Sequence, residues 1–345
     1  MNRKHPVIAA PQFGSAPHWQ ILIRDEWCSA IARLTSALVS GASTFFQARR
    51  YLNLPFPPLT HAVSSPSGLG SDSKPVAAAI NGNVTYLADS MQFYLELGCR
   101  ITKGNVFYIS PSFRGERPDV SHLSQFIHVE CEGQGDLTAG ITLASQLVDY
   151  LSRHLLLTCR SELESIAGTV EHIDELLSLK ADFPCVKFQQ MVNDLGKSSP
   201  DAISRSPSGF DIVTRAGESI AVETYGTAGA LWITNYPWLS VPFYQAKAAQ
   251  ASYAKNADLI LGSCETVGCG ERWISGADIR SSLSMHGVNG APYEWYAAMK
   301  DEMPMRTFGF GLGIERFLMW ALRHEDIRDL SLTHSIPDVR ILPNR

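Results

Sequence analysis

The apolar positions of WQILIRDEWCSAIARLTSALVS, residues 19–40, recur every three or four residues. Ile21, Ile23, Trp27, Ile31, Leu34 and Leu38 trace the stripe of a helix, which Gly41 is expected to end. A proline-rich passage, YLNLPFPPLT, and a Gly/Ser loop, SSPSGLGSDS (64–73), follow without periodicity. VTYLADSMQFYLELGCR reads as a strand running into a helix. NVFYISPSFR (105–114) and SQFIHVECEG (124–133) read as paired strands. Helices are expected over 137–158 and 161–179, and strands with tight turns over ESIAVETYG, LWITNYP and DLILGSCETVGCGE. The last long helix begins near Ile314. Strand pairs joined by short turns, with helices apart from them, predict an α+β domain built on an antiparallel sheet. Residues 1–18 form a lead-in, and 19–345 one domain without repeat, linker or low-complexity tract.

Composition narrows the class. A chain of 345 residues, 45% hydrophobic and 18% charged, can bury a sizeable core. A formal net charge of -5 announces no nucleic-acid binder, although a local basic face is compatible with it. The seven cysteines are odd in number and contain no CxxC, which predicts free or buried thiols in a reducing compartment, with neither a disulfide frame nor a zinc site. No apolar run is long enough to span a bilayer, and the polar, proline-broken start is not a signal peptide. The expectation is a cytoplasmic protein with no membrane partner.

Three stretches carry candidate chemistry. In FGFGLGIERFLMWAL (308–322), glycines at 309, 311 and 313 would bare a strand face to a flat ligand or a phosphate. Arg316 then falls on the first turn of a helix, where backbone N–H groups are unpaired. A glycine-rich strand packed on a helix, with Glu315 and Arg316 paired, would explain the same residues. In SFRGERPDVSHLSQFIHVECE (112–132), Arg114 ends one strand and Phe126 opens the next. The charged loop between them holds Glu116, Arg117, Asp119 and His122, and Glu130 and Glu132 share one strand face. Such a tip is either a solvated turn or a clamp for a phosphate and a metal. In DLILGSCETVGCGER (258–272), a turn at Leu261-Gly262 would set Asp258 directly across a hairpin from Glu265. Two like charges so placed call for a cation, and Mg²⁺ bridged to phosphates suits few carboxylates. Arg272 follows seven residues on. Together these residues could hold a bent ATP with magnesium.

FRGE…HLSQF resembles motif 2, and GFGLGIERFLMWAL motif 3, of the class II aminoacyl-tRNA synthetases. DLILGSCETVGCGER is similar to the D-x6-E-x6-R segment of their aspartyl and asparaginyl subgroup. ITNYPWLSVPFYQ, YLADSMQFYLEL and HEDIRDLSL resemble further segments of that subgroup, in one order along the chain. The resemblance implies roles. Arg114 would hold the α-phosphate, Phe126 and Arg316 would sandwich adenine, and Asp258 and Glu265 would hold Mg²⁺. Glu116, His122 and Gly313 would complete the ATP site, with Arg114, Glu116 and Arg316 catalytic. Glu130 would take the substrate α-ammonium. Ser90, Gln92, Leu95, Glu271 and Arg272 would line the amino-acid site, Arg272 meeting the side-chain oxygen. The Gly/Ser loop would close over the amino acid, and a homodimer is the family expectation.

Departures from the pattern matter too. The subgroup places an anticodon-binding barrel ahead of the catalytic core, and 18 residues cannot build one. Leu95 stands where the aspartyl branch has lysine, which favours an amide or another neutral tip. Glu271 stands for the family glutamine, and Thr307 for the histidine before motif 3. The leading expectation is therefore an AMP-forming ligase. It would activate an aspartate- or asparagine-like amino acid and pass the acyl group to ammonia or another small amine. The alternatives are an asparaginyl-like synthetase that charges tRNA and a non-catalytic paralogue.

Overall fold

The computed structural model describes residues 7–11, 18–64, 69, 73–248 and 252–332. Helix α1 (Glu26–Ala48) starts at Asp25, whose carboxylate accepts the Trp27 and Cys28 N–H groups. It does not stop at Gly41. An added Cβ there would sit 2.8 Å from the His154 ring, so this glycine lets α1 approach α3 (Leu137–Thr158) closely. The helix expected over 161–179 is two, Arg160–Ala167 and Glu171–Ser178, broken at Gly168 with φ +73°. The strand expected at 218–226 is instead helix α4 (Arg215–Tyr225). Thr214 caps it by accepting the Gly217 N–H, and its buried residues, Gly217 and Ala221, stand four apart. Of the lead-in, Ile8 donates its N–H to the Ser165 carbonyl and packs on the core.

Eight strands form the main sheet. They are β1 (Leu52–Asn53), β2 (Val106–Phe113), β3 (Gln125–Gln134), β4 (Cys185–Lys187), β5 (Ala230–Thr234), β6 (Asn256–Leu261), β7 (Cys264–Glu271) and β8 (Thr307–Gly313). Their spatial order is β1-β2-β3-β8-β7-β6-β5-β4, antiparallel throughout except at the two edges. The predicted α+β class and antiparallel sheet are thus observed. Residues 59–60, 76–80 and 83–87 form a second, three-stranded sheet beside it.

The pleat sends alternate side chains to opposite faces. On one face Phe107, Val129, Cys131, Leu259, Val267, Phe310 and Leu312 pack against α1, α3 and α5 (Ile314–Leu322) in the principal core. Each fully buried Leu or Phe there contributes about 1.5–3 kcal/mol. The intervening residues of β3, β7 and β8 face away from those helices, across from α2 (Gln92–Thr102). That second face carries the polar residues, and it forms the floor of a large cavity.

Candidate active site

A cavity of about 590 Å³ opens on this face. Phe126, His128 and Glu130 of β3 line it in that order, two residues apart. Glu130 is buried and accepts the Ser90 hydroxyl, the Met91 N–H at 2.9 Å, and a contact from His128 Nδ1 at 3.4 Å. Burial alone would raise its pKa, but His128, Ser90 and the Met91 amide outweigh burial and hold it below the usual range.

Deeper in, Glu132 grips Arg272 with both oxygens: Nε donates to Oε1 at 3.1 Å and Nη2 to Oε2 at 3.1 Å. Both side chains are buried. Nη2 also donates to Gln92 Oε1 at 3.0 Å, and Gln92 Nε2 donates to the Tyr244 hydroxyl at 2.5 Å. Gly309 makes room for this pair. A Cβ there would fall 1.9 Å from Glu132 Oε2 and 2.3 Å from Arg272 Nη2. So Gly309 accommodates an ion pair of the protein itself, contrary to the expectation of a bared ligand face. Gly311 and Gly313 do line the cavity.

Arg114 stands at the mouth with its Cζ 5.5 Å from the Phe126 ring centroid. Its Nε is buried and has no hydrogen-bond partner, and neither has Glu116 Oε2. Burial would raise the Glu116 pKa, but the Ser73 hydroxyl and nearby backbone N–H groups bring it below the usual value. His122 lies at the rim, its Nδ1 3.0 Å from Asp119 Oδ1. Arg316 donates from Nη1 to the Glu265 carbonyl at 2.8 Å. Glu315 does not pair with it. Its two oxygens accept the Ile127 N–H, each at 3.0 Å, and burial pushes its carboxyl up to about 7.

Asp258 and Glu265 meet by a route that differs from the expected one. Asp258 pairs with Gly268, and Glu265 with Ile260, because the register shifts between Leu259 and Ile260. The turn lies one residue later than expected, with Gly262 at φ +64°. Both carboxylates nonetheless converge over Gly268, whose added Cβ would lie 3.0 Å from Glu265 Oε1 and 3.7 Å from Asp258 Oδ1. Burial, then Glu265, raises the Asp258 pKa far above its ordinary value. Glu218, from α4, is raised to about 8 by burial and by Glu265. Among the described residues no group of three or more His, Cys, Asp or Glu is arranged to hold a metal.

Two expected site residues lie elsewhere. Leu95 is fully buried in α2 and packs with Ala88, Met91, Cys99 and Val106, outside the cavity lining. Glu271, the neighbour of Arg272 on an extended strand, is turned from the cavity. It binds Lys255 Nζ at 2.7 Å, Arg306 Nε at 3.0 Å and the Leu137 N–H at 3.2 Å. The predicted Gly/Ser loop lies largely outside the described residues. Other lining residues had not been singled out as site members. Asp89 is buried, accepts the Ser64 N–H at 2.9 Å and its hydroxyl at 2.7 Å, and is raised to about 6 by burial. Its place beside Ser90 in LADSMQ was the available signal. His128 had one too, since it alternates with Phe126 and Glu130.

A family model described as tRNA synthetases class II (D, K and N) matches residues 18–334. The chain belongs to this family. The asparagine–tRNA ligase of Herpetosiphon aurantiacus is 24% identical over 323 residues, 90% of this chain and 70% of that protein. That of Pelotomaculum thermopropionicum is 27% identical over 330 residues, 93% and 71%. The asparaginyl-tRNA synthetase of Pyrococcus horikoshii, complexed with asparaginyl-adenylate, superposes with a TM-score of 0.82 at 21% identity. The match covers 94% of this chain and 73% of that one. The Entamoeba histolytica enzyme with asparaginyl-adenylate gives 0.77 at 18% identity, over 92% and 68%.

As a class II synthetase-type protein the chain is a ligase that uses ATP. The cavity fits that use. Its mouth has a buried, unpartnered guanidinium donor beside an aromatic ring, and two convergent carboxylates face the same space. In this structure Arg114 is the cation against Phe126, while Arg316 leans on Glu265. No described helix is long and apolar enough to cross a membrane.

Proposed function

We propose that this ligase activates an asparagine-like amino acid as its aminoacyl-adenylate. The observation that carries the reading is the buried, unpartnered Nε of Arg114, a residue that lines the same cavity as Asp258 and Glu265. An Nε–H with no protein acceptor suits a phosphate oxygen. The amino-acid carboxylate attacks the α-phosphorus, the bond to the bridging oxygen breaks, and pyrophosphate leaves. Arg114 holds charge on the α-phosphate, and Phe126 supports the adenine. Charge on both Asp258 and Glu265 is unfavourable in this buried setting, and these two residues would hold a magnesium ion, which would supply charge neutralisation there.

The side-chain pocket supports a neutral tip. Arg272 already shares its charge with Glu132, and an added substrate carboxylate would bring a second negative charge into a buried site. A carbonyl oxygen can accept an N–H without that cost. Leu95 lies in the core outside the pocket and carries no part of this reading. Glu130, a buried carboxylate of the cavity lining, would take the substrate ammonium.

The relatives carry the name asparagine–tRNA ligase, which supports tRNA as the acceptor more strongly than the sequence alone did. Ammonia or another small amine is the second reading, favoured by the net charge of -5. A homodimer is part of the proposal. Mass spectrometry of enzyme isolated after incubation with ATP, Mg²⁺ and asparagine tests the first step. Bound asparaginyl-adenylate is expected; its absence, with every standard amino acid, would overturn the reading. Adding ammonium or tRNA then identifies the acceptor by which one discharges the adenylate.

A further inference from the structure

Glu130 and Phe126 mark the two ends of the adenylate under the proposed function, on which this inference rests. One end is the amino acid's ammonium and the other the adenine. Both residues stand on the same face of β3, with His128 between them. Same-face neighbours on a strand are about 6.8 Å apart. The acyl–phosphate linkage therefore lies over His128, which is the one imidazole on the strand between the two anchors.

The ring is oriented for one task. Its Nδ1 faces Glu130 Oε1 at 3.4 Å and the Ser112 hydroxyl at 3.2 Å. A carboxylate beside Nδ1 keeps the proton on that nitrogen and leaves the lone pair on Nε2. Nε2 points over Gly311, where an added Cβ would lie 3.3 Å away. Nε2 makes no hydrogen bond among the described residues, and the side chain is 17% exposed, within the cavity lining. The edge of the Phe126 ring system, 4.9 Å between centroids, holds the imidazole from the other side.

We propose that His128 is the general base of acyl transfer. The acceptor's amine nitrogen or hydroxyl oxygen attacks the acyl carbonyl carbon and forms the new C–N or C–O bond. Its proton passes to His128 Nε2. The tetrahedral centre collapses, the bond from carbon to the phosphate oxygen breaks, and AMP leaves with that electron pair. The imidazolium then returns its proton to solvent. Activation itself needs no such base, because the attacking carboxylate carries no proton. His128 thus separates the two half-reactions.

The test uses the full chain with two substitutions. His128→Asn retains a donor near the Nδ1 position and lacks Nε2; His128→Gln retains a polar end near Nε2 without its basicity. Enzyme-bound adenylate is isolated by gel filtration and mixed with ammonium chloride in one arm and unfractionated tRNA in the other, and AMP release is followed by rapid quench. From isolated adenylate both variants are expected to transfer about 100-fold more slowly, a much larger loss than any in adenylate formation, which His128 touches only through Glu130. Transfer at the wild-type rate by His128→Asn would make the residue a mere partner of Glu130 and overturn the proposal. A parallel loss of both half-reactions would overturn it too, as would wild-type adenylate that neither acceptor discharges. Failure of the underlying reading is separate, since it appears as wild-type enzyme without adenylate before any acceptor is added.

Discussion

Arg114, Glu315 and Leu95 show how single positions divide between chemistry and packing. Arg114 was singled out at a charged tip that could equally have been a solvated turn, and the structure leaves its Nε buried without a partner. For Leu95 the place in the pattern suggested the pocket, but α2 turns it into an apolar cluster. Leu95→Lys is therefore expected to lower the melting temperature markedly, by burying an unpaired ammonium, before it alters selectivity. Equal melting temperatures with a shift toward aspartate would return Leu95 to the pocket. Glu315 makes a pH prediction. Its folded pKa, about 7, exceeds the ordinary 4.5 because of burial. Between those values the folded state binds more protons than the unfolded one, so stability falls as pH rises through this window. Glu315→Gln removes that contribution while keeping an acceptor for Ile127. Its melting temperature should fall less than the wild type's between pH 4.5 and 7, by a few degrees in differential scanning fluorimetry. Parallel curves would contradict the assignment.

At the scale of elements, alternation on β3 was legible and register was not. Spacing alone set Glu130 and Glu132 on one face, and the structure keeps them there, with Phe126 on the same face. The hairpin of β6 and β7 carries a register shift that no residue type announces, so the meeting of Asp258 and Glu265 was anticipated for an incorrect reason. Helix α4 was mistaken for a strand because alternating apolar residues in ESIAVET masked the Thr214 cap. Gly309 was read as a ligand surface, since a sequence does not reveal which opposing side chain fills the space above a glycine. Gly309→Ala tests the revised role. The new methyl would collide with Glu132 and Arg272, and overpacking of this kind costs about 1–3 kcal/mol. Adenylate formation should fall sharply with a modest loss of stability, while Gly313→Ala, with nothing nearer than 3.7 Å, should keep wild-type stability. Wild-type adenylate formation by Gly309→Ala would show that the pair is not needed.

For the whole molecule, the division of labour between the two sheet faces organises everything else. One face is committed to α1, α3 and α5, so the second is free to hold charge. Periodicity made the α+β class and most elements legible, and the ordered motifs made the family legible. The spatial order of the strands, with parallel pairing at both edges, came only from the structure. So did the Glu132–Arg272 pair, which joins residues 140 apart. That pair underlies the central claim, activation of a neutral-tipped amino acid. ATP–pyrophosphate exchange dependent on amino acid, comparing asparagine with aspartate in wild type, Arg114→Ala and Arg316→Ala, tests it most directly. The account predicts exchange with asparagine well above that with aspartate, and loss of exchange in both variants with the fold intact by circular dichroism. Exchange that favours aspartate, or that survives in Arg114→Ala, would contradict it.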